Sequence, residues 1–199
     1  MVRKTAAERR AELIGAGLRV IAREGMHGAT VRAIVAEAGV PLATFHYVFD
    51  SRDQMIGVAY EHVSAHLDDV PLDRLPDGTT PLEAARMLLG AWFDRFVERP
   101  EQELAVIEIM AHCRRTPSLE HLSHAMQERY LARVTAVVHT ICERSGVTSA
   151  TPPGELAEII LNVGDGITLS WLRSQDTAAA RRVIEATARL IALAVDEPL

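Results

Sequence analysis

The sequence predicts an all-α protein, and three observations lead there. The apolar residues make up 48% of the chain and are rich in Ala, Leu and Ile but poor in aromatics. The nine prolines fall mostly where helices would begin or end. Ser or Thr followed three residues later by Glu or Gln recurs ahead of apolar runs, which marks capped helix starts. Strand-like alternation is hard to find, and 199 residues suffice for one large or two small cores.

Each helix has its own start and stop. Thr5 with Glu8 opens the first, over about residues 6–24, where Leu13, Leu18 and Ile21 keep helical spacing until Gly25 stops it. Thr30 caps a short second helix with Val31, Ile34 and Val35 inward and Ala38 and Gly39 closing it. The third, about 41–48, begins at Pro41, tolerated there because its missing N–H would have had no partner. Ser51 with Gln54 launches a fourth over 51–67, through Met55, Val58, Ala59, His62, Val63 and His66.

Residues 68–79 hold two Pro, one Gly and four Asp, loop chemistry that suits a hinge between an N-terminal head and a larger body. Thr80, Pro81 and Glu83 then start a helix through Met87, Leu88, Ala91, Trp92, Phe93 and Phe96. Another follows over about 101–114, and Pro117 opens a long one with Leu122, Met126, Tyr130, Val134, Val137 and Ile141 inward. Two more, about 153–173 and 177–195, are separated by a break where Asp176 is the cap. The result is about nine helices, divided into residues 1–50 and residues 51–199, with the helix 51–67 connecting the two.

Charge is placed unevenly. Residues 1–56 carry eight Lys and Arg against six Asp and Glu, a balance of +2, while the remainder carries thirteen against twenty-one, or −8. A small anion-binding head on an acidic body fits that pattern. The N-terminal stretch is charged rather than signal-like, and no apolar run is long enough to span a membrane, so a cytoplasmic location with no membrane partner is expected. Cys113 and Cys142 lack CxxC spacing and read as small buried residues.

The two short helices joined by AGVPLA, the second of about two turns, have the spacing of a helix-turn-helix. A recognition helix must enter a major groove about 12 Å wide, so it is short, backed by apolar residues, and small or polar outside. Phe45, Val48 and Phe49 can anchor it inward, which leaves Leu42, Ala43, Thr44, His46 and Tyr47 facing out. Thr30 and Arg52 stand at helix N-termini, where free N–H groups and the positive dipole end favour a phosphate. Arg32, Leu42, Ala43, Thr44 and Tyr47 are candidates for base edges or the groove wall, and Arg3, Lys4, Arg9 and Arg10 for a basic arm along the DNA.

These residues carry a resemblance to a known family. Gly25 after the first helix, Ala29-Thr30-Val31-Arg32, Ile34, Ala38-Gly39-Val40, Thr44-Phe45 and Phe49-x-Ser51-Arg52-Asp53 resemble the TetR family of bacterial transcriptional regulators. Beyond residue 80 the likeness lies only in helix number and length. The chain departs from the family pattern at Pro41, usually Ser, at His46, usually Tyr, and at Val48, usually aromatic or His. The family's Tyr donates to a DNA phosphate, as a ring N–H of His46 can, whereas Pro41 brings no hydroxyl.

The resemblance implies a ligand-responsive DNA-binding transcriptional regulator, a repressor released from its operator by a small-molecule effector, and not an enzyme. One helix-turn-helix reads a half-site, so the expected partner is double-stranded DNA with a palindromic operator, bound by a homodimer. The apolar faces of the last two helices, with Ile160, Val163, Ile167, Ile184 and Ile191, are expected to pair between two copies as a four-helix bundle. Trp92, Phe93, Phe96, Met110, Met126, Tyr130 and Trp171 collect in the middle helices; with the resemblance they become the expected site for a small apolar or amphipathic effector, oriented by Asn162, Asp165 or Glu108.

No cofactor and no metal are expected. His62 and His66, and His121 and His124, share helical faces but lack a fixed third ligand. Two alternatives stand beside this reading: a constitutive regulator without effector, and an all-α metal-dependent enzyme using His62, His66, His112 or Glu108, for which no GxSxG, HExxH, P-loop or dinucleotide motif is present.

Overall fold

The computed structural model describes residues 4–64 and 75–195. Nine helices are found among them: α1 Ala6–Gly28, α2 Val31–Ala38, α3 Leu42–Val48, α4 Arg52–Ser64, α5 Pro81–Glu98, α6 Pro100–Arg115, α7 Glu120–Ser145, α8 Pro153–Ser174 and α9 Thr177–Val195. Arg3, His66, the last turn expected for the fourth helix and residues 68–74 of the expected hinge lie outside the described residues.

The sequence-read caps are present. Thr5 accepts the Glu8 N–H while Glu8 accepts that of Thr5, and Thr80 and Glu83 repeat this reciprocity. The Asp176 carboxylate accepts the Ala179 N–H at 2.8 Å. Ser51 caps Gln54 at 3.0 Å, but Gln54 reaches one residue further back than a capping box, accepting from the Asp50 N–H at 2.8 Å. Pro41 is the residue before α3 rather than its first helical residue. The long helix expected from Pro117 begins at Glu120, because a turn in which the Leu119 N–H bonds the Thr116 carbonyl at 2.8 Å takes up the preceding residues.

Two glycines shape the head through backbone conformations that side chains disfavour. Gly25, at φ 68, breaks α1 before its last residues. Gly39, at φ 65, closes α2: its N–H and that of Val40 turn back onto the Ala36 and Val35 carbonyls. This left-handed stop frees the chain to start α3 at once.

The helices divide into two units. In the first, α1 packs on α2, α3, α4 and α6. Its interior holds Leu13, Val20, Ile21, Ile34, Phe45, Phe49, Met55, Ile56 and Ile109, all nearly or wholly buried. Glu37 of α2 ties Arg19 and Arg23 of α1 at 2.8 and 3.1 Å, and these two hydrogen bonds hold its carboxyl below the usual range. The second unit contains α5, most of α7, α8 and α9. One cluster joins Ala84, Leu88, Val138, Ile141, Leu156 and Val195; another joins Phe93, Phe96, Ile167, Trp171, Ala180 and Ile184.

In the second unit Glu185 of α9 bonds Arg86 of α5 and, within its own helix, Arg189, each through guanidinium Nε at 2.8 and 2.9 Å. Chiefly the Arg86 pair, then Arg189, holds the Glu185 carboxyl down at about 2, against its ordinary 4.5. A carboxyl that ionises more readily when folded stabilises fully above its unfolded value and loses that contribution as pH falls through its folded one. Glu185→Gln is therefore expected to lower the urea midpoint at pH 6, and the gap to wild type to narrow steadily on going from pH 4.5 towards pH 2.

Candidate nucleic-acid interface

α3 is only seven residues long, too short to persist by itself, and its pose comes from what it buries. Phe45 is wholly buried and Phe49, just past the helix, nearly so; their rings lie 5.5 Å apart. Arg10 of α1 fastens the same end: its guanidinium donates to the Val48 carbonyl at 3.0 Å and lies over the Phe49 ring, 4.5 Å from the centroid. With that face fixed inward, helical geometry turns the other face out. Tyr47 is 71% exposed and Leu42 44%; Pro41, Ala43 and His46 are exposed, and Thr44 is half-buried.

Thr30 is exposed at the start of α2, its hydroxyl accepting the Ala33 N–H at 3.1 Å. Arg32, two residues on, is exposed as well. Thr30, Arg32 and the outer face of α3 thus belong to two adjoining helices that pack on each other, and none of these side chains is consumed by the core.

The expected basic arm takes a different form. The Lys4 ammonium pairs with Glu12 at 2.9 Å, and Arg9 pairs with the same carboxylate at 2.8 Å. Arg10 is spent on α3, as described. Arg52, expected at a phosphate, instead turns its guanidinium into the protein, donating to the carbonyls of Ala29, at 2.6 Å, and Met26. The inward roles of Arg10 and Arg52 escaped the sequence reading because each joins residues more than twenty positions apart, where helical spacing carries no signal.

The residues expected to bind an effector are divided between the two units. Phe93 and Phe96 are core, tilted against each other and both packed edge-to-face on Trp171, whose indole N–H bonds Thr177 at 3.0 Å. Trp92, half-buried, stacks on Phe96. Tyr130 is half-buried, and exposed Asn162 donates its amide to the Glu158 carbonyl of its own helix. Met126 and Met110 belong to the first unit, the former buried and the latter exposed. Glu108 accepts the Met26 N–H at 3.3 Å. A concavity of about 350 Å³ does run along α8 and α9, floored by Trp171 and flanked by Val163, Gly166, Ala179 and Val183.

The residues expected to pair between copies take part in the unit's own packing. Ile167, Ile184 and Ile191 are buried in the unit's own core, and Ile160 and Val163 pack half-buried against it. Both helices carry an apolar arc wide enough for two faces; the inner half holds those residues, and the outer half shows Ile159, Leu169, Val183, Leu190 and Leu193. Leu190 and Leu193 are 65% and 76% exposed.

His112 stands 3.5 Å from Asp53 and from the Thr116 hydroxyl. Among the described residues no three His, Cys, Asp or Glu gather as a metal site, and no helix is long and apolar enough to cross a membrane. Cys113 is wholly buried, which pushes its thiol up to about 11.

Comparison with known proteins agrees with the geometry. Residues 13–58 match the model of bacterial regulatory proteins of the TetR family, and residues 81–196 match that of the BetI-type transcriptional repressor C-terminal domain. The chain is 27% identical over 172 residues to the nicotine-responsive transcriptional repressor HdnoR of Paenarthrobacter nicotinovorans, covering 85% of this chain and 87% of that one. A transcriptional regulator from Rhodococcus sp. Rha1 superposes with TM-score 0.76 at 20% identity, covering 96% and 99% of the two chains. The multidrug binding protein EbrR, complexed with imidazole, superposes with TM-score 0.66 at 25% identity over 96% and 97%.

Because Phe45 carries the inner face of α3, Phe45→Ala is expected to lower unfolding free energy by about 3–5 kcal/mol, read from urea denaturation. A loss below about 1 kcal/mol would mean that α3 is not held by this ring.

Proposed function

The chain belongs to the TetR family of DNA-binding transcriptional regulators, and from that premise we propose that it is a repressor which grips a palindromic operator as a homodimer and is released by a small effector. Residues 1–50 form the DNA-binding head and residues 51–199 the effector-binding and dimerisation body. The observation that carries this reading is the two-sided character of α3, with Phe45 wholly buried and Tyr47 71% exposed on a helix of two turns. Leu42, Ala43, Thr44 and Tyr47 meet base edges and the groove wall, and a ring N–H of His46 reaches a phosphate. Pro41 adds shape without a donor. Thr30 and the free N–H groups of α2 take a second phosphate, and Arg32 has the length to reach a guanine.

Two heads are brought together by the outer faces of α8 and α9, where Ile159, Leu169, Val183, Leu190 and Leu193 give an exposed apolar surface. The effector is a small apolar or amphipathic molecule; the nicotine response named for HdnoR and the multidrug binding named for EbrR support that class. Its action is a coupling free energy: an effector that binds better to the form whose heads do not match adjacent grooves lowers operator affinity by that difference. Such a protein works where DNA is, in the cytoplasm.

Two measurements test the reading. On a duplex that the protein itself selects from a random pool, affinity is expected to fall about tenfold or more between about 50 and about 200 mM salt, and Tyr47→Ala to weaken binding by about tenfold or more; unchanged affinity in either comparison contradicts contact through α3. In the body, Leu190→Glu with Leu193→Glu is expected to turn a dimer into a monomer in sedimentation experiments, while a variant that stays dimeric rules this face out.

A further inference from the structure

The junction between α1 and α2 is held by two charged side chains from other helices of the first unit. Gly25, at φ 68 and ψ −179, takes the backbone out of helical conformation just before Met26, whose N–H meets a side chain from another helix. Glu108 of α6 supplies the acceptor, at 3.3 Å. From α4, Arg52 donates through Nε to the Ala29 carbonyl at 2.6 Å and through its terminal amine to the Met26 carbonyl. Both polar groups of Met26 are thereby bonded to a formal charge, one to a carboxylate and one to a guanidinium. Ala29 is wholly buried, and the next residue is Thr30, the exposed start of α2.

We infer that Arg52 and Glu108 are positioning residues for DNA binding: they fix the junction from which α2 departs, and so aim Thr30 and the α2 N–H groups, without touching DNA themselves. This rests on the head being the DNA-binding surface. Charge-assisted bonds hold more tightly than neutral ones, and two on one residue leave the junction a single placement. An acceptor 3.3 Å away is already at the long end of hydrogen bonding, so a shift of α6 by a fraction of an ångström releases it. The α6 helix leads through the 116–119 turn into α7, which the chain carries on into the second unit. Glu108 is therefore a point at which displacement of α6 is felt at the DNA-facing end of α2.

The test uses full-length protein and the duplex that wild type selects, with affinity measured against KCl. Arg52→Ala is expected to weaken binding about tenfold with the slope of log affinity on log salt unchanged, because no phosphate contact is lost. A slope reduced by about one would make Arg52 a direct phosphate ligand and overturn its assignment. Glu108→Ala is expected to lose about tenfold and Glu108→Gln to recover most of it, since the amide oxygen accepts the same N–H. Combined with Thr30→Ala, Glu108→Ala is expected to lose less than the product of the two single losses.

Multiplying losses, a Glu108→Ala that binds like wild type, or a Glu108→Gln as weak as it, overturns the inference. Amide exchange at Met26, expected to quicken in Glu108→Ala and to slow again in Glu108→Gln, reads the same bond without DNA; identical exchange in all three proteins overturns it too. A wild type that binds no duplex at all would instead defeat the reading of the head, and this inference with it.

Discussion

The burial of Phe45 and Phe49 beneath α3 is the constraint from which the rest of the head follows. A helix of seven residues cannot form enough internal hydrogen bonds to repay its nucleation, so it exists only because an interior accepts its apolar side. Phe45 from within α3 and Phe49 from just past its end both turn inward, and Leu42, Ala43, His46 and Tyr47 are left exposed. Exposure of Tyr47 is thus a consequence of packing as much as of its own polarity. Arg10 reinforces the same end by bonding the Val48 carbonyl and covering the Phe49 ring.

The cations of the head are used mostly inside it. Lys4 and Arg9 answer Glu12, Arg19 and Arg23 answer Glu37, and Arg10 and Arg52 answer backbone carbonyls. A surface of scattered positive charge would bind any duplex, whereas here most of the charge is committed to contacts within the head. The modest excess of +2 in residues 1–56 fits that division.

Helix starts were legible from the sequence because capping is local: Thr5 with Glu8, Thr80 with Glu83 and Asp176 act within three residues of themselves. Where a second local preference competes, the start slipped, as at Pro117, whose expected helix waits until Glu120 for the Thr116 turn to end. The outer face of α3 was legible because the Phe within it and the Phe just past it both seek the interior. The inward half of the apolar arc of α8 and α9 was not: Ile167 and Leu169 are equally apolar, and periodicity marks an arc without saying which half meets the chain's own core. The aromatic stripe carries the same ambiguity, since Phe93 and Phe96 have the same spacing whether they line a cavity or fill it. Arg52 and Glu108 act across 26 and 82 positions, beyond any local pattern.

Chemical footprinting with dimethyl sulfate on a duplex the wild-type protein selects tests the central claim most directly, because guanine N7 lies in the major groove and adenine N3 in the minor groove. Two α3 helices presented by one dimer should shield guanine N7 in two patches whose centres lie about 10 bp apart or a multiple of it, related by two-fold symmetry. Shielding confined to adenine N3, or a single patch without a symmetric mate, would contradict an α3 that enters the major groove twice.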